Sequence, residues 1–523
     1  MKINPKSLLY GTLMLTGANL IVRILGFIYR VYLSRLIGPQ GMGLIQLVFP
    51  AFLISITLTT SGLPIAVSRL VSEKNAKGDT LGIRRTVSTA ILLVAFISII
   101  LSVSTILNLN YIADNILKDQ RTRGALLVLF PSIIIIGFGA VLKGFFYGMK
   151  DIHPPALSEI IEQLVRMGIV YTLLYWLAPI DNLAIAAGLV MLGTVFGEMA
   201  SLLFLHYRYY KTAKIMYKDT SIIHSPGVLG SIMTIAIPIT MTRLVSSFMS
   251  ATNSILIPQR LMASGMLRDD AIGLFGIMFG MVMPLLFLPF TITGALSVVI
   301  IPNLSENLAL NNWHEIKDKV SKAIMITCIT AFPIIALLVS LGKPIGDILY
   351  KQPMVGILLI PMSYALLFHS LQHTTSGILN GLGKQNRGAT HFIIGSAIQL
   401  LCTYFLISNP SIRIYGIIIG FSLSSIVVCI LNLTTVLTFV KMPFLIVQWI
   451  LKPGFSALIM ASIIGVVYQF IGRTNTPLFL NLIISFLLGL SIFVISLFAL
   501  GGIPIGLFSV KKKLKYDLNK VRG

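Results

Sequence analysis

The sequence predicts an all-α polytopic membrane protein of about fourteen transmembrane helices, with two six-helix lobes around a central cavity and two further helices at the C-terminal end. Three observations predict it. The 523 residues are 56% hydrophobic and only 11% charged, with a mean hydropathy of +0.91, far from the composition of a soluble domain. Apolar runs long enough to cross about 30 Å of hydrocarbon recur along the whole length. The two halves also resemble each other at a constant offset of 233 residues.

Cutting at polar and Gly/Pro breaks places the spans near 8–36, 44–70, 86–108, 124–149, 156–177, 184–206, 228–257, 271–301, 319–341, 356–380, 389–408, 414–439, 447–471 and 478–501. Lys2 and Lys6 precede the first run, but polar residues interrupt it and no A-x-A-like site follows, so it is expected to stay as an uncleaved span. GPQGMG (38–43) lacks the Lys-Ser/Thr of a phosphate-cradling loop and reads as a tight external turn. Pro50, Pro64, Pro131, Pro238, Pro284, Pro289 and Pro333 lie in or beside spans, where proline removes a backbone hydrogen bond and permits bending. Cys328, Cys402 and Cys429 sit in apolar runs without metal-ligand spacing and read as small core residues.

Charge sets the orientation. With the N-terminus inside, the cytoplasmic segments and their flanks hold 24 of the 40 Lys/Arg and the opposite loops hold 9. The positive-inside rule then predicts a multi-pass protein of the cytoplasmic membrane with both termini cytoplasmic. The net charge of +23 reflects this topology, and no folded basic surface is available for nucleic acid. The connecting loops are too short for a concentrated acid/base or metal set, which argues against an enzyme and against a bound cofactor.

The repeat shows in three places. VSTAI (87–91) faces VSKAI (320–324), LVSEK (70–74) faces NLSEN (303–307), and Gly144 and Gly148 face Gly377 and Gly381. Six spans separate the copies, so both halves have the same orientation, related by an axis along the membrane normal. The expected division is an N-terminal lobe at 1–225, a C-terminal lobe at 226–440, and two last spans with a basic tail at 441–523.

Ionisable residues inside spans mark the candidate site. Asn19, Arg23, Gly26 and Arg30 fall at i, i+4, i+7 and i+11, one stripe of the first span. An Arg at the bilayer centre costs roughly 2.5–3.5 kcal/mol on insertion scales, so this stripe is expected to face a cavity. Arg35 and Arg69 lie near span ends and can snorkel. Arg243 is near mid-depth of the seventh span, and neither span 1 nor span 7 contains an acid. Glu159, Glu162, Gln163 and Arg166 share one face of the fifth span, with Lys143 and Glu198 at similar depth on the fourth and sixth. Glu159, Glu162, Lys143 and Glu198 read either as an ion-coupling set or as a structural pairing of Lys143 with Glu159 or Glu162, while Arg166 joins Asn19, Arg23, Arg30 and Arg243 as candidate substrate-binding residues. His369 and His373, at i and i+4, have no HExxH pattern or nearby acid and read as packed, hydrogen-bonded residues rather than metal ligands. Five cations (Arg23, Arg30, Lys143, Arg166, Arg243) against three acids should attract an anion, and the planar fork of Arg suits a phosphate.

RILGFIYRVYLSRLIGPQGMGLIQLVFP (23–50), SGLPIAVSRLVSEKNAKGD (61–79), KGFFYGMKDIHPPALSEIIEQLVRMGIV (143–170) and GEMASLLFL (197–205) resemble the polysaccharide-transporter branch of the multidrug/oligosaccharidyl-lipid/polysaccharide (MOP) flippase superfamily, most closely its sporulation members. The resemblance runs through essentially the whole chain and keeps motif order. It implies a fourteen-helix, two-lobed flippase fold and the movement of lipid-linked cell-wall precursors, for spore cortex peptidoglycan in the sporulation members. Lipid II flippases of the superfamily keep arginines in the first span and the central cavity, and Arg23, Arg30 and Arg243 match that pattern. The implied partners are a pyrophosphate-linked oligosaccharide lipid, the membrane and cell-wall synthesis proteins. A coupling ion or the membrane potential is the implied energy source. The competing reading is a cation-coupled multidrug exporter of the MATE type. Exporters of cationic drugs want intramembrane acids where span 1 supplies Arg.

Overall fold

Gly38 breaks the first apolar run. Its φ of 66° lies in the left-handed region that glycine adopts without steric cost, and Pro39 follows inside a restarted helix. The expected turn over 38–43 is therefore one residue long, and the rest of GPQGMG is helical. The structure, a computed structural model, describes residues 8–177, 182–216, 226–288, 290–473 and 476–502. The N-terminal lysines, the basic tail at 511–523 and part of the 207–227 loop lie outside the described residues.

The described residues form helices joined by short turns. These are α1 (Leu8–Thr60), α2 (Leu63–Ala76), α3 (Thr80–Leu107), α4 (Leu109–Tyr111), α5 (Thr122–Leu129), α6 (Ser132–Gly148), α7 (His153–Leu177), α8 (Leu183–Met216), α9 (Pro226–Ala263), α10 (Arg268–Gly276), α11 (Met283–Phe287) and α12 (Phe290–Ala309). They continue as α13 (Trp313–Ile345), α14 (Pro353–Gly381), α15 (Gln385–Leu406), α16 (Tyr415–Val440), α17 (Lys452–Gly472) and α18 (Leu478–Ala499). Among the described residues, thirteen stretches are long and apolar enough to cross a membrane, and the first, Gly17–Ala76, is 60 residues long. At 1.5 Å per residue that stretch is about three times the hydrocarbon thickness, so it holds two crossings, which brings the number to the expected fourteen.

By contact the chain forms two units, residues 1–285 with 403–416 and residues 286–402 with 417–523. The first takes in α9 and α10, which follow the expected boundary after 225, because both pack on α1. Its core joins α2, α3 and α6 through Val67, Val71, Val87, Val94, Leu142 and Phe145. The second unit buries Val320, Cys328, Ile378, Cys429 and Trp449 in one cluster. There the Trp449 indole donates to Ser321 Oγ at 3.1 Å. The α17–α18 pair packs on α13 through Leu337, Leu341, Met460 and Phe493. Cys328 and Cys429 are buried and all three cysteines are free thiols.

One helix contact occurs twice. A Cβ placed on Gly148 would meet Ser68 O at 2.7 Å and Val71 Cβ at 2.7 Å; one placed on Gly381 would meet Ile301 O at 3.0 Å and Leu304 Cβ at 3.1 Å. Each residue of the second set is the first plus 233, as 381 − 148, 301 − 68 and 304 − 71 show. Both units thus seat a helix on a glycine at the same place in the repeat, the small-residue packing that membrane helices favour.

A further contact joins residues that the repeat itself relates. A Cβ on Gly276 would overlap Pro39 O and lie 2.5 Å from Gly43 N, and Gln46 Nε2 donates to Phe279 O at 3.4 Å. Both pairs differ by 233 (276 − 43 and 279 − 46), so equivalent backbones cross here within the first unit. Close by in sequence, Arg121 bridges Asp119 and Asp269 at 2.8 Å each, and Gln259 Nε2 donates to Ile116 O at 2.9 Å. All of these contacts fall in segments of the unit expected outside.

Candidate functional site

Helix α7 carries the polar face, and α8 brings the last acid to it. Gly193 and Gly197 give α8 a small-xxx-small surface: a Cβ on Gly193 would overlap Val170, and one on Gly197 would meet Glu162 O at 2.8 Å and Arg166 Cβ at 3.1 Å. The close approach places Glu198 beside Arg166. Arg166 Nη2 bonds Glu162 Oε1 one turn away and sits 3.7 Å from Glu198 Oε1. On the other side, Lys143 Nζ of α6 lies 3.4 Å from Glu159 Oε1. The side chains of all five are between 16% and 27% exposed. The structure therefore brings Lys143, Glu159, Glu162, Arg166 and Glu198 into two ion-paired groups on three helices, and each acid has a cation.

The stripe of span 1 runs along α7 in parallel. Gly26 faces Gln163, whose Nε2 is 4.0 Å from a Cβ built on the glycine. Arg166 and Arg30 lie within electrostatic range of the Tyr29 hydroxyl, and Tyr32 packs on Tyr171 with ring centroids 5.4 Å apart. Asn19, Arg23 and Arg30 are exposed on the isolated chain. An exposed arginine at membrane depth faces a watery cavity in preference to lipid. Tyr29 escaped sequence reasoning because a lone tyrosine in an apolar helix reads as packing. Its signal was its place beside Arg30 and three residues after Gly26.

Arg243 belongs to α9, whose neighbouring turns pack on the segment of α1 after Gly38 and on Gly62. Ser247 Oγ and Thr57 Oγ1 are 2.7 Å apart, and a Cβ on Gly62 would meet Thr240 Oγ1 at 2.6 Å. Arg243 itself is exposed and forms no ion pair among the described residues. Arg69 lines a cavity of about 870 Å³ with Tyr147 and Lys150. His369 packs against Phe287, Phe290 and Phe421 with Nδ1 3.3 Å from Ser425 Oγ, and no metal-binding group of His, Cys, Asp or Glu occurs among the described residues.

Fold and site together define a multi-span helical membrane protein with the MOP-superfamily fold. A multidrug resistance MATE family transporter of that superfamily in its inward-facing conformation superposes with a TM-score of 0.66 at 15% identity, covering 81% of this chain and 98% of the other. A MOP superfamily transporter from Pyrococcus furiosus gives 0.60 at 15% identity over 84% and 97%. The chain belongs to the polysaccharide biosynthesis protein family, whose profile matches residues 8–308, more than half its length. The profile of lipid II flippase MurJ matches residues 284–489. Among curated relatives, stage V sporulation protein B of Bacillus subtilis (strain 168) is 28% identical over 434 residues, 82% of this chain and 84% of that protein. Lipid II flippase MurJ of the same organism is 23% identical over 432 residues, 76% and 77%.

Proposed function

We propose that the chain is a flippase that moves an undecaprenyl-pyrophosphate-linked saccharide of the lipid II type across the cytoplasmic membrane by alternating access, in the service of spore cortex synthesis. The observation that carries this reading is the exposed stripe Asn19, Arg23, Arg30 on a membrane span that contains no acid. Such a stripe, in a low-dielectric cavity, holds a pyrophosphate by charge-assisted, bidentate hydrogen bonds. The lipid's chains stay in the bilayer. Arg23 grips the pyrophosphate, Arg243 meets it from α9, and Arg30 guides the headgroup farther along span 1. The names of the flippase and sporulation relatives support the same substrate class. Both termini are cytoplasmic in this reading, cell-wall synthesis proteins are the partners, and a coupling ion or the membrane potential drives the cycle.

The multidrug alternative draws little support from the acids. Glu159 is paired with Lys143, and Glu162 and Glu198 share Arg166, so each carboxylate already lies within 4 Å of a cation and the group of five holds at most one negative charge in excess. Complementation of a strain lacking the transporter tests the flippase reading. Arg23→Ala and Arg243→Ala are expected to be inserted at normal abundance and to fail to complement. Arg23→Lys should restore part of the activity, since a point charge replaces a fork of donors. Full complementation by Arg23→Ala at normal abundance would make the stripe structural.

A further inference from the structure

Three hydrogen-bond donors lie along the seam of α1 and α7 with no partner among the described residues: the Tyr29 hydroxyl, Gln163 Nε2 and Arg166 Nε are buried and unbonded. Gln163 is only 5% exposed. Buried donors are normally satisfied, so three within two helical turns of each other call for an acceptor. Their spacing follows the parallel register already described, with Gly26 opposite Gln163 and Tyr29 within range of Arg166. Gly26 carries no side chain, which lets the Gln163 amide lie against α1.

The charge around these donors selects the acceptor. Arg166 is already held by Glu162 and approached by Glu198, while Lys143 is held by Glu159 and Arg30 approaches from α1. A phosphate placed against Arg166 would meet the two carboxylates that bind it. A neutral oxygen would not, and two of the three donors, the phenol and the amide, are themselves neutral. The seam also lies farther along span 1 than Arg23, where a sugar extends once its pyrophosphate is held.

We propose that Tyr29, Gln163 and Arg166 Nε form a saccharide subsite, donating to hydroxyl or carbonyl oxygens of the sugar adjacent to the pyrophosphate; this rests on the flippase reading above. The subsite makes the transporter distinguish a sugar-bearing lipid from its bare pyrophosphate carrier.

The test uses two probes on the purified full chain in nanodiscs: undecaprenyl pyrophosphate, and the same lipid bearing a disaccharide. Wild type should bind the second more tightly. Tyr29→Phe and Gln163→Met should each weaken the disaccharide lipid about three- to tenfold, the range of one ordinary hydrogen bond, and leave undecaprenyl pyrophosphate unchanged. Thermal stability should not fall in either variant, because removal of an unbonded buried donor costs the fold nothing. Equal weakening of both lipids, or of neither, would overturn the subsite, as would a drop in stability without a change in binding. If wild type binds neither lipid, the flippase reading itself fails and takes the subsite with it.

Discussion

Glu162→Gln is expected to reduce the abundance of the protein sharply. The carboxylate is the nearer partner of Arg166, and both side chains are largely buried, at 16% and 21% exposure. Removing one member of a buried pair strands the other charge, a loss of about 3 kcal/mol or more when no substitute partner is in reach. Glu198, at 3.7 Å, supplies part of a substitute, so the loss should fall near the low end of that range. Glu198→Gln should cost less, because its contact is longer. Combining Glu162→Gln and Glu198→Gln with Arg166→Met should recover abundance relative to Glu162→Gln alone, since no stranded charge remains among the three. Membrane immunoblots measure all three. Normal abundance of Glu162→Gln with lost transport would show instead that the carboxylate acts in the cycle, as an ion-coupling group would.

Gly276→Val should open the end of the first unit that Gly43 and Gly276 close. Its Cβ would overlap Pro39 O and lie 2.5 Å from Gly43 N, both backbone atoms with no flexible end to yield. Overpacking in a rigid interior costs about 1–3 kcal/mol, and here the relief is separation of the helices. Met42, 2% exposed in this structure, reports the change. Met42→Cys, in a background with the three native cysteines replaced by Ser, should react with an impermeant thiol reagent much faster when Gly276→Val is added. Gly43→Ala, whose Cβ would overlap Ile272 O and lie 2.6 Å from Ile272 Cγ2, should do the same. The double substitution should add little to either single one, because each alone breaks the same contact. Unchanged Met42→Cys reactivity would mean that the crossing is not a moving closure.

How much of this was legible in the sequence differs element by element. The fourteen crossings follow from apolar length, and the Gly148 and Gly381 contacts follow the offset of 233 that VSTAI and VSKAI display. Gly38 was legible as a break but not as so short a one, since the five residues after it resemble a loop in composition and a helix only in geometry. The facing of Gly43 and Gly276 was invisible, because an internal repeat says which residues are equivalent and not which of them touch. Charges on α7 announced a polar face through their spacing. The distribution of partners did not, for it depends on how deeply Gly193 and Gly197 let α8 settle. Tyr29 and Gln163 needed the α1–α7 register, a tertiary fact that no local pattern encodes.

The central claim is that the arginine stripe of span 1 holds a pyrophosphate. Equilibrium binding of undecaprenyl pyrophosphate to purified wild type and Arg23→Ala in nanodiscs tests it without any step of transport. A charge-assisted hydrogen bond contributes about 1.5–3 kcal/mol, so Arg23→Ala should weaken binding about ten- to hundredfold. The affinity should also fall with added salt, as an exposed ionic contact requires. Equal affinity of wild type and Arg23→Ala, in protein of equal thermal stability, would contradict the account.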